Sequence, residues 1–201
     1  MATAKSSDRT SWWLGWCVVS SIGAGAGVIS WVVVGSILEA AGGGSQNVLT
    51  ALAAGSAFGT VFGLAQWLVL KRALPGAGRW VFACLVGYGI DFVLGAALLP
   101  PESGANLGEA QTILLGVLLG AAVALLPATL QWQLVLKNQF SGAAWWIPAS
   151  LASWGLGFGI SFGLRLLFGE LTFVAGPVVA IGLTGLAMRR LLHRVLGESQ
   201  R

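Results

Sequence analysis

Gly63-Leu64-Ala65-Gln66-Trp67-Leu68-Val69-Leu70-Lys71 carries an apolar run into a basic residue, and most of it returns as Gln131-Trp132-Gln133-Leu134-Val135-Leu136-Lys137. The residues after each copy correspond as well: a turn with Gly76-Ala77 or Gly142-Ala143, then Trp80 or Trp146, then another apolar run. The repeated unit is helix, Gln-Trp, Leu-Val-Leu-Lys, turn, Trp, helix. An apolar run of about 20 residues closed by a basic residue reads as a transmembrane helix reaching the cytoplasmic face. The second copy differs by one inserted residue, Gln133.

Working outward, composition agrees. Hydrophobic residues make up 56% of the 201 and charged residues 9%, whereas a soluble domain carries about 25% charge. The mean hydropathy is +0.83. The apolar runs do not alternate with polar residues, which excludes membrane barrel strands. The 30 glycines suit helices packed closely in lipid. A formal charge of +4 would fit a nucleic-acid partner, but the Lys and Arg sit at the ends of apolar runs, where they act as topology signals. Nucleic acid is therefore not an expected partner.

The chain reads as one integral membrane domain over 1–201, with spans at about 12–38, 48–70, 80–99, 112–136, 145–168 and 171–192. Residues 1–11 read as a polar tail. The first span is too long for a signal-peptide core and no clear cleavage site comes after it, so it is expected to be retained. Gly42-Gly43-Gly44-Ser45 forms the first outer loop, and Pro100-Pro101 closes the third span. With the amino terminus inside, all of the 11 Lys and Arg except Arg165 fall on the inner side, while Glu39, Glu102, Glu109 and Glu170 fall outside. The positive-inside rule then requires an even number of spans, with both termini cytoplasmic. Trp12, Trp13, Trp16, Trp67, Trp80, Trp132, Trp145 and Trp146 cluster at the inner level, where indoles anchor at headgroups.

Aligned on Gln66 and Gln131, Ala51, Gly55, Gly59 and Gly63 match Gly116, Gly120, Ala124 and Ala128, a small-residue stripe that lets helices approach. Gly176, Ala180 and Thr184 continue it weakly. Among the odd spans, Gly23, Gly89 and Gly155 correspond. The expected fold is all-α: a polytopic membrane helical bundle of six transmembrane helices, arranged as three tandem hairpin repeats about an axis along the membrane normal.

The Gln-Trp-Leu-Val-Leu-Lys element, the Gly-Ala and Trp after it, and the closing Gly182-Leu183-Thr184-Gly185-Leu186-Ala187 resemble an uncharacterised group of bacterial multi-pass membrane proteins built from such repeats. The resemblance covers spans two to six. It implies membrane topology and repeat structure, in a bacterial inner membrane, and no particular activity.

Candidate site residues are few. Asp91 lies midway along the third span, where an ionisable side chain costs roughly 2.5–3.5 kcal/mol on insertion scales and normally faces the bundle interior. It reads either as a proton, cation or ligand site, or as a neutral acid bonded to a neighbouring helix through a hydroxyl, Tyr88 being close in sequence. Gln66 and Gln131, with Gln133, read as amides bonding across helices or as contacts to a lipid headgroup or a pigment metal. Arg165, above the level of Asp91, is expected to snorkel or to pair with Glu170. Cys17 and Cys84 read as small buried hydrophobes, and the lone His193 as an interfacial residue. No P-loop, zinc-protease or nucleophile-elbow motif occurs. No enzyme, metal site or cofactor is expected.

Three functions stay open at this point: a non-enzymatic accessory, assembly or scaffold component; a small transporter or channel using Asp91, with Pro177 interrupting the sixth helix; and a lipid or pigment binder between hairpins. The expected partners are membrane lipids and either another membrane protein or a second copy of the chain.

Overall fold

A computed structural model describes residues 4–42, 47–98, 107–169 and 175–198. Among these, the helices are α1 (Ala4–Ala40), α2 (Val48–Leu70), α3 (Gly78–Leu98), α4 (Glu109–Gln131), α5 (Trp146–Phe168) and α6 (Ala175–Glu198). A π-helical turn, Trp132–Leu136, ends α4, and a short 3-10 turn, Ala143–Trp145, leads into α5. The segments Ser11–Ala40, Val48–Leu70, Gly78–Ala97, Glu109–Leu136, Ala143–Phe168 and Ala175–Leu192 are each long and apolar enough to cross a membrane. The protein is thus an all-helical, multi-pass bundle.

Two ends differ from expectation. The polar tail is helical from Ala4 onward, because no Gly or Pro interrupts the backbone before Gly15. The 37 residues of α1 span ~55 Å, well beyond a hydrocarbon core of ~30 Å. Pro177 does not interrupt α6. It occupies the first turn, where its missing N–H has no intrahelical partner to lose, and Pro148 sits likewise in α5. Pro127 alone lies well inside its helix, α4. The expected positions Gly43, Gly44, Ser45, Pro100, Pro101, Glu102 and Glu170, the close of the third span at residue 99 and the start of the sixth at 171–174 lie outside the described residues, as does the side chain of His193.

Each helix packs on its neighbours in the chain, and α6 closes onto α1, so the six form a ring. The surface of the ring is apolar: Ile22, Leu49, Leu118 and Phe82 are exposed, as befits side chains against lipid. The interior is aromatic, small and polar, with Trp16, Trp80, Phe62, Ser20, Ser161, Gln66 and Gln131 buried.

The small-residue stripes explain the tightest contacts, and they face the protein's own helices. A side chain at Gly55 would meet the Tyr88 carbonyl at 2.6 Å and one at Gly59 would strike the Cys84 carbonyl; at Gly63 it would lie 2.9 Å from Cys84 Cβ. In the second copy Gly120 abuts the Trp154 carbonyl, and Gly116 meets Phe162 at 2.9 Å. The stripes therefore join α2 to α3 and α4 to α5, across the turns that follow Lys71 and Lys137; that end of the ring is called inner below, and the opposite end outer. Gly157 and Gly176 play the same part between α5 and α6.

Candidate functional site

The two Gln-Trp copies build one polar layer near the inner end. Trp80 Nε1 donates to Gln66 Oε1 at 2.7 Å, and Trp146 Nε1 donates to Gln131 Oε1 at 3.0 Å. In each case an indole on an odd helix clasps the even helix before it. The ring's closing interface has no Gln, and there Trp16 Nε1 on α1 donates to the main-chain carbonyl of Ile181 on α6 at 3.2 Å. The partly buried Trp13 adds a bond to the Gly182 carbonyl at 3.1 Å. The three clasping indoles meet inside the ring: Trp16 and Trp80 lie edge to face at 6.4 Å, and Trp80 and Trp146 lie 5.6 Å apart.

This corrects the reading of every inner tryptophan as a headgroup anchor. Trp16, Trp80 and Trp146 are core residues, buried to within 2% of completely. An indole has one donor and a large apolar body, so it fills the core wherever an acceptor is supplied. Trp67 is only partly buried, and Lys71 Nζ lies 4.7 Å from its ring centroid.

The inserted Gln133 is absorbed locally. In the first copy the Lys71 N–H reaches back four residues to the Trp67 carbonyl, at 2.8 Å; in the second the Lys137 N–H reaches back five, to Trp132, at 2.9 Å. The π-turn removes the extra residue from the register and leaves Gln133 exposed. Beyond it the copies coincide again. Leu70 and Leu136 are fully buried, and Leu74 and Phe140 bond back to them at 2.8 and 3.0 Å. Gly76 and Gly142 both take the left-handed conformation, with φ of +68° and +72°. The insertion therefore does not separate the environments of Gln66 and Gln131, each of which is 5% exposed.

Cys84 has a role the sequence did not reveal. It is buried as expected, but it links the two glutamines: Gln131 Nε2 donates to Cys84 Sγ at 3.3 Å, and the thiol faces Gln66 Oε1 at 3.9 Å. Only the closeness of α3 to both even helices makes this possible, and no local pattern encodes that. Gln66, Gln131 and Tyr88 also line one small axial void of about 20 Å³, with Ser150, Thr184 and Trp154. That volume suits a single water molecule rather than a pigment or headgroup. Ser150 Oγ, which lines the void, has no partner among the described residues.

Asp91 is elsewhere. It is 9% exposed, and its Oδ2 is buried with no hydrogen-bond partner among the described residues. The expected bond to a neighbouring hydroxyl is thus missing at that oxygen. Tyr88, one turn inward, packs its ring on Phe58 and Phe62, at 5.0 and 5.9 Å. Asp91 instead lines a cleft of about 400 Å³ between α1, α2, α3 and α4, with Trp31, Glu39, Thr50, Ala54, Phe92 and Val123. Its counterpart in α5, Gly157, lets α6 approach backbone to backbone; on α3 the close approach to α4 comes one turn inward of Asp91, where a side chain at Gly87 would meet the Pro127 backbone at 2.7 Å. Of the four candidate ligand residues, Gln66, Gln131 and Tyr88 therefore share the inner void, and Asp91 stands apart in the outer cleft. Among the described residues, no group of three His, Cys, Asp or Glu converges as a metal site would require.

No family model, curated protein or solved structure matches this chain.

Proposed function

We propose that the chain is a non-enzymatic integral membrane protein of a bacterial inner membrane, with both termini cytoplasmic, acting as an accessory or assembly component of a membrane complex. One observation carries this reading: the buried indoles of Trp16, Trp80 and Trp146 interlock across the inner end of the ring. A bundle closed in this way acts through its surface. The outer half of α1 offers such a surface, with Ile29, Val32, Val33 and Ile37 exposed and open space at Gly25 and Gly35. Another membrane protein or a second copy of the chain would meet it there, and lipid covers the rest. Exposed Lys71, Arg72, Arg79 and Lys137 gather at the inner end and support the orientation.

Extraction in native lipid tests the role. A stoichiometric membrane-protein partner or a defined homo-oligomer is the expected result, and a lone chain carrying only lipid would contradict it. Orientation is tested by single cysteines at Ser45, Ser103 and Ser199 in a chain lacking Cys17 and Cys84. The first two should label from outside; labelling of the third from outside would sink the topology.

A second reading, a small transporter or a binder of lipid or pigment, draws its support from the unpartnered Oδ2 of Asp91. Proteoliposome flux of an organic cation, present in wild type and absent in Asp91→Asn, would move the assignment to transport.

A further inference from the structure

We infer that the outer cleft around Asp91 is a binding site for an organic cation: a hydrophobic primary or quaternary amine without a phosphate. The inference shares one premise with the ligand-handling reading, that a solute enters this cleft, and does not require that the solute cross the membrane.

Four features of the cleft converge on this ligand. The first is the charge at its wall. Asp91 is nine-tenths buried and lines the cleft; its Oδ2, without a partner among the described residues, is itself buried behind the wall, so the carboxylate meets a cation in the cleft through its charge. A carboxylate taken out of water in this way is costly unless a cation or a donor meets it. The second is the sign of what surrounds it. Glu39, exposed on α1, adds a second acidic group, and among the described residues that line the cleft none is basic. The phosphate of a zwitterionic lipid headgroup would face only acidic groups there. An amine without a phosphate brings no anionic group to be repelled by them.

The third feature is size. About 400 Å³ is far more than a bare metal ion or a proton needs, and falls in the range of small-molecule sites. Apart from the two carboxylates and the Thr50 hydroxyl, the named walls are carbon, so a coordination shell for an inorganic cation is not provided. The fourth is the aromatic edge. Trp31 on α1 and Phe92 on α3 pack edge to face at 5.6 Å beside the carboxylate. Trp31 remains 41% exposed, so part of its ring is open to a ligand. Quaternary and primary amines bind such faces through the ring quadrupole. A carboxylate to balance charge, an aromatic face to hold the cation, and an apolar remainder from Ala51, Ala54 and Gly95 together describe a lipophilic ammonium.

The test uses the full chain in phosphatidylcholine nanodiscs and the probe phenethyltrimethylammonium, read by titration calorimetry. Its neutral isostere, 3,3-dimethylbutylbenzene, is the control. The expected result is one saturable site for the ammonium, with the isostere at least about tenfold weaker. Asp91→Asn should lose about tenfold or more in affinity while unfolding at the wild-type temperature. Trp31→Leu, at an exposed position, should lose roughly threefold. Retained affinity in a well-folded Asp91→Asn, or equal binding of the isostere, overturns the proposal. If Asp91→Asn fails to fold, Trp31→Leu decides, and unchanged affinity there also overturns it. Replacing half of the lipid by phosphatidylethanolamine separates the two sources of an amine. Unchanged probe binding supports a free cation; competitive loss overturns that source and assigns the cleft to the lipid headgroup. Absence of flux in proteoliposomes would contradict transport and leave this binding result standing.

Discussion

The two ends of the ring differ in how they treat their largest buried polar groups. At the inner end, the N–H groups of Trp16, Trp80 and Trp146 each find an acceptor on a facing helix, and Cys84 ties Gln66 to Gln131. At the outer end, Asp91 keeps a buried carboxylate oxygen without a partner, among the described residues, beside an open cleft. Small residues close the α2–α3, α4–α5 and α5–α6 contacts along the length of the ring, while a carboxylate stands where α5 has Gly157. The inner bonds specify which helices meet and hold them there, although Trp12 Nε1, Ser20 Oγ and Ser150 Oγ toward that end also lack partners among the described residues. A buried carboxylate oxygen without a partner is costlier to the fold than an unpaired hydroxyl or indole N–H. The inner layer is thus read as structure and the outer cleft as the place proposed for a ligand.

The largest break in this comparison should come from the inner stripe. Gly59→Leu forces a side chain onto the Cys84 carbonyl, which is backbone and has little freedom to retreat. Overpacking costs ~1–3 kcal/mol and sometimes more, and here α2 and α3 would have to separate. Leu68→Ala, by contrast, shortens a half-exposed side chain and should cost far less. Thermal unfolding in detergent compares them; wild-type yield and stability in Gly59→Leu would refute the stripe.

Next in size is the clasp. Gln131→Leu removes the acceptor of the Trp146 indole and the donor to Cys84, leaving the buried indole N–H unsatisfied. The expected loss is about 1–3 kcal/mol. Gln66→Leu should behave alike, since Trp80 depends on it in the same way. A Gln131→Leu protein as stable as wild type would show that the clasps do not hold the layer together.

Smaller still is the effect of deleting Gln133. The residue is exposed, and the π-turn serves to absorb it. Deletion should convert the turn to the α-helical form seen at Lys71, with stability within about 1 kcal/mol of wild type. Hydrogen exchange at the Lys137 amide would track the change. Collapse of the fold would mean that the extra residue has a role of its own.

Much of this architecture was legible in the chain. Apolar runs of membrane length foretold six helices, because hydrophobic thickness acts on each segment separately. Gly55, Gly59 and Gly120 announced close helix contact for the same local reason. Which helices they contact was not legible, since a stripe carries no name for its partner. The inner tryptophans misled for a related cause: an indole prefers an interface or a core according to whether an acceptor waits for its N–H, and Gln66 and Gln131 lie 14 and 15 residues away across a turn. Cys84 looked inert because its link to Gln131 spans 47 residues. Asp91 stood out at once as a charge within a span. Its missing partner, and the cleft made from four helices, emerge only once the ring is assembled.

Thermal unfolding of Asp91→Leu beside Gln131→Leu tests the division between the two ends most directly. Both replace a buried polar side chain with leucine. With no partner to orphan at Oδ2, Asp91→Leu should unfold at or above the wild-type temperature, while Gln131→Leu should unfold clearly below it. A loss in Asp91→Leu as large as that in Gln131→Leu would contradict the account, and would make Asp91 part of the structure rather than of the site.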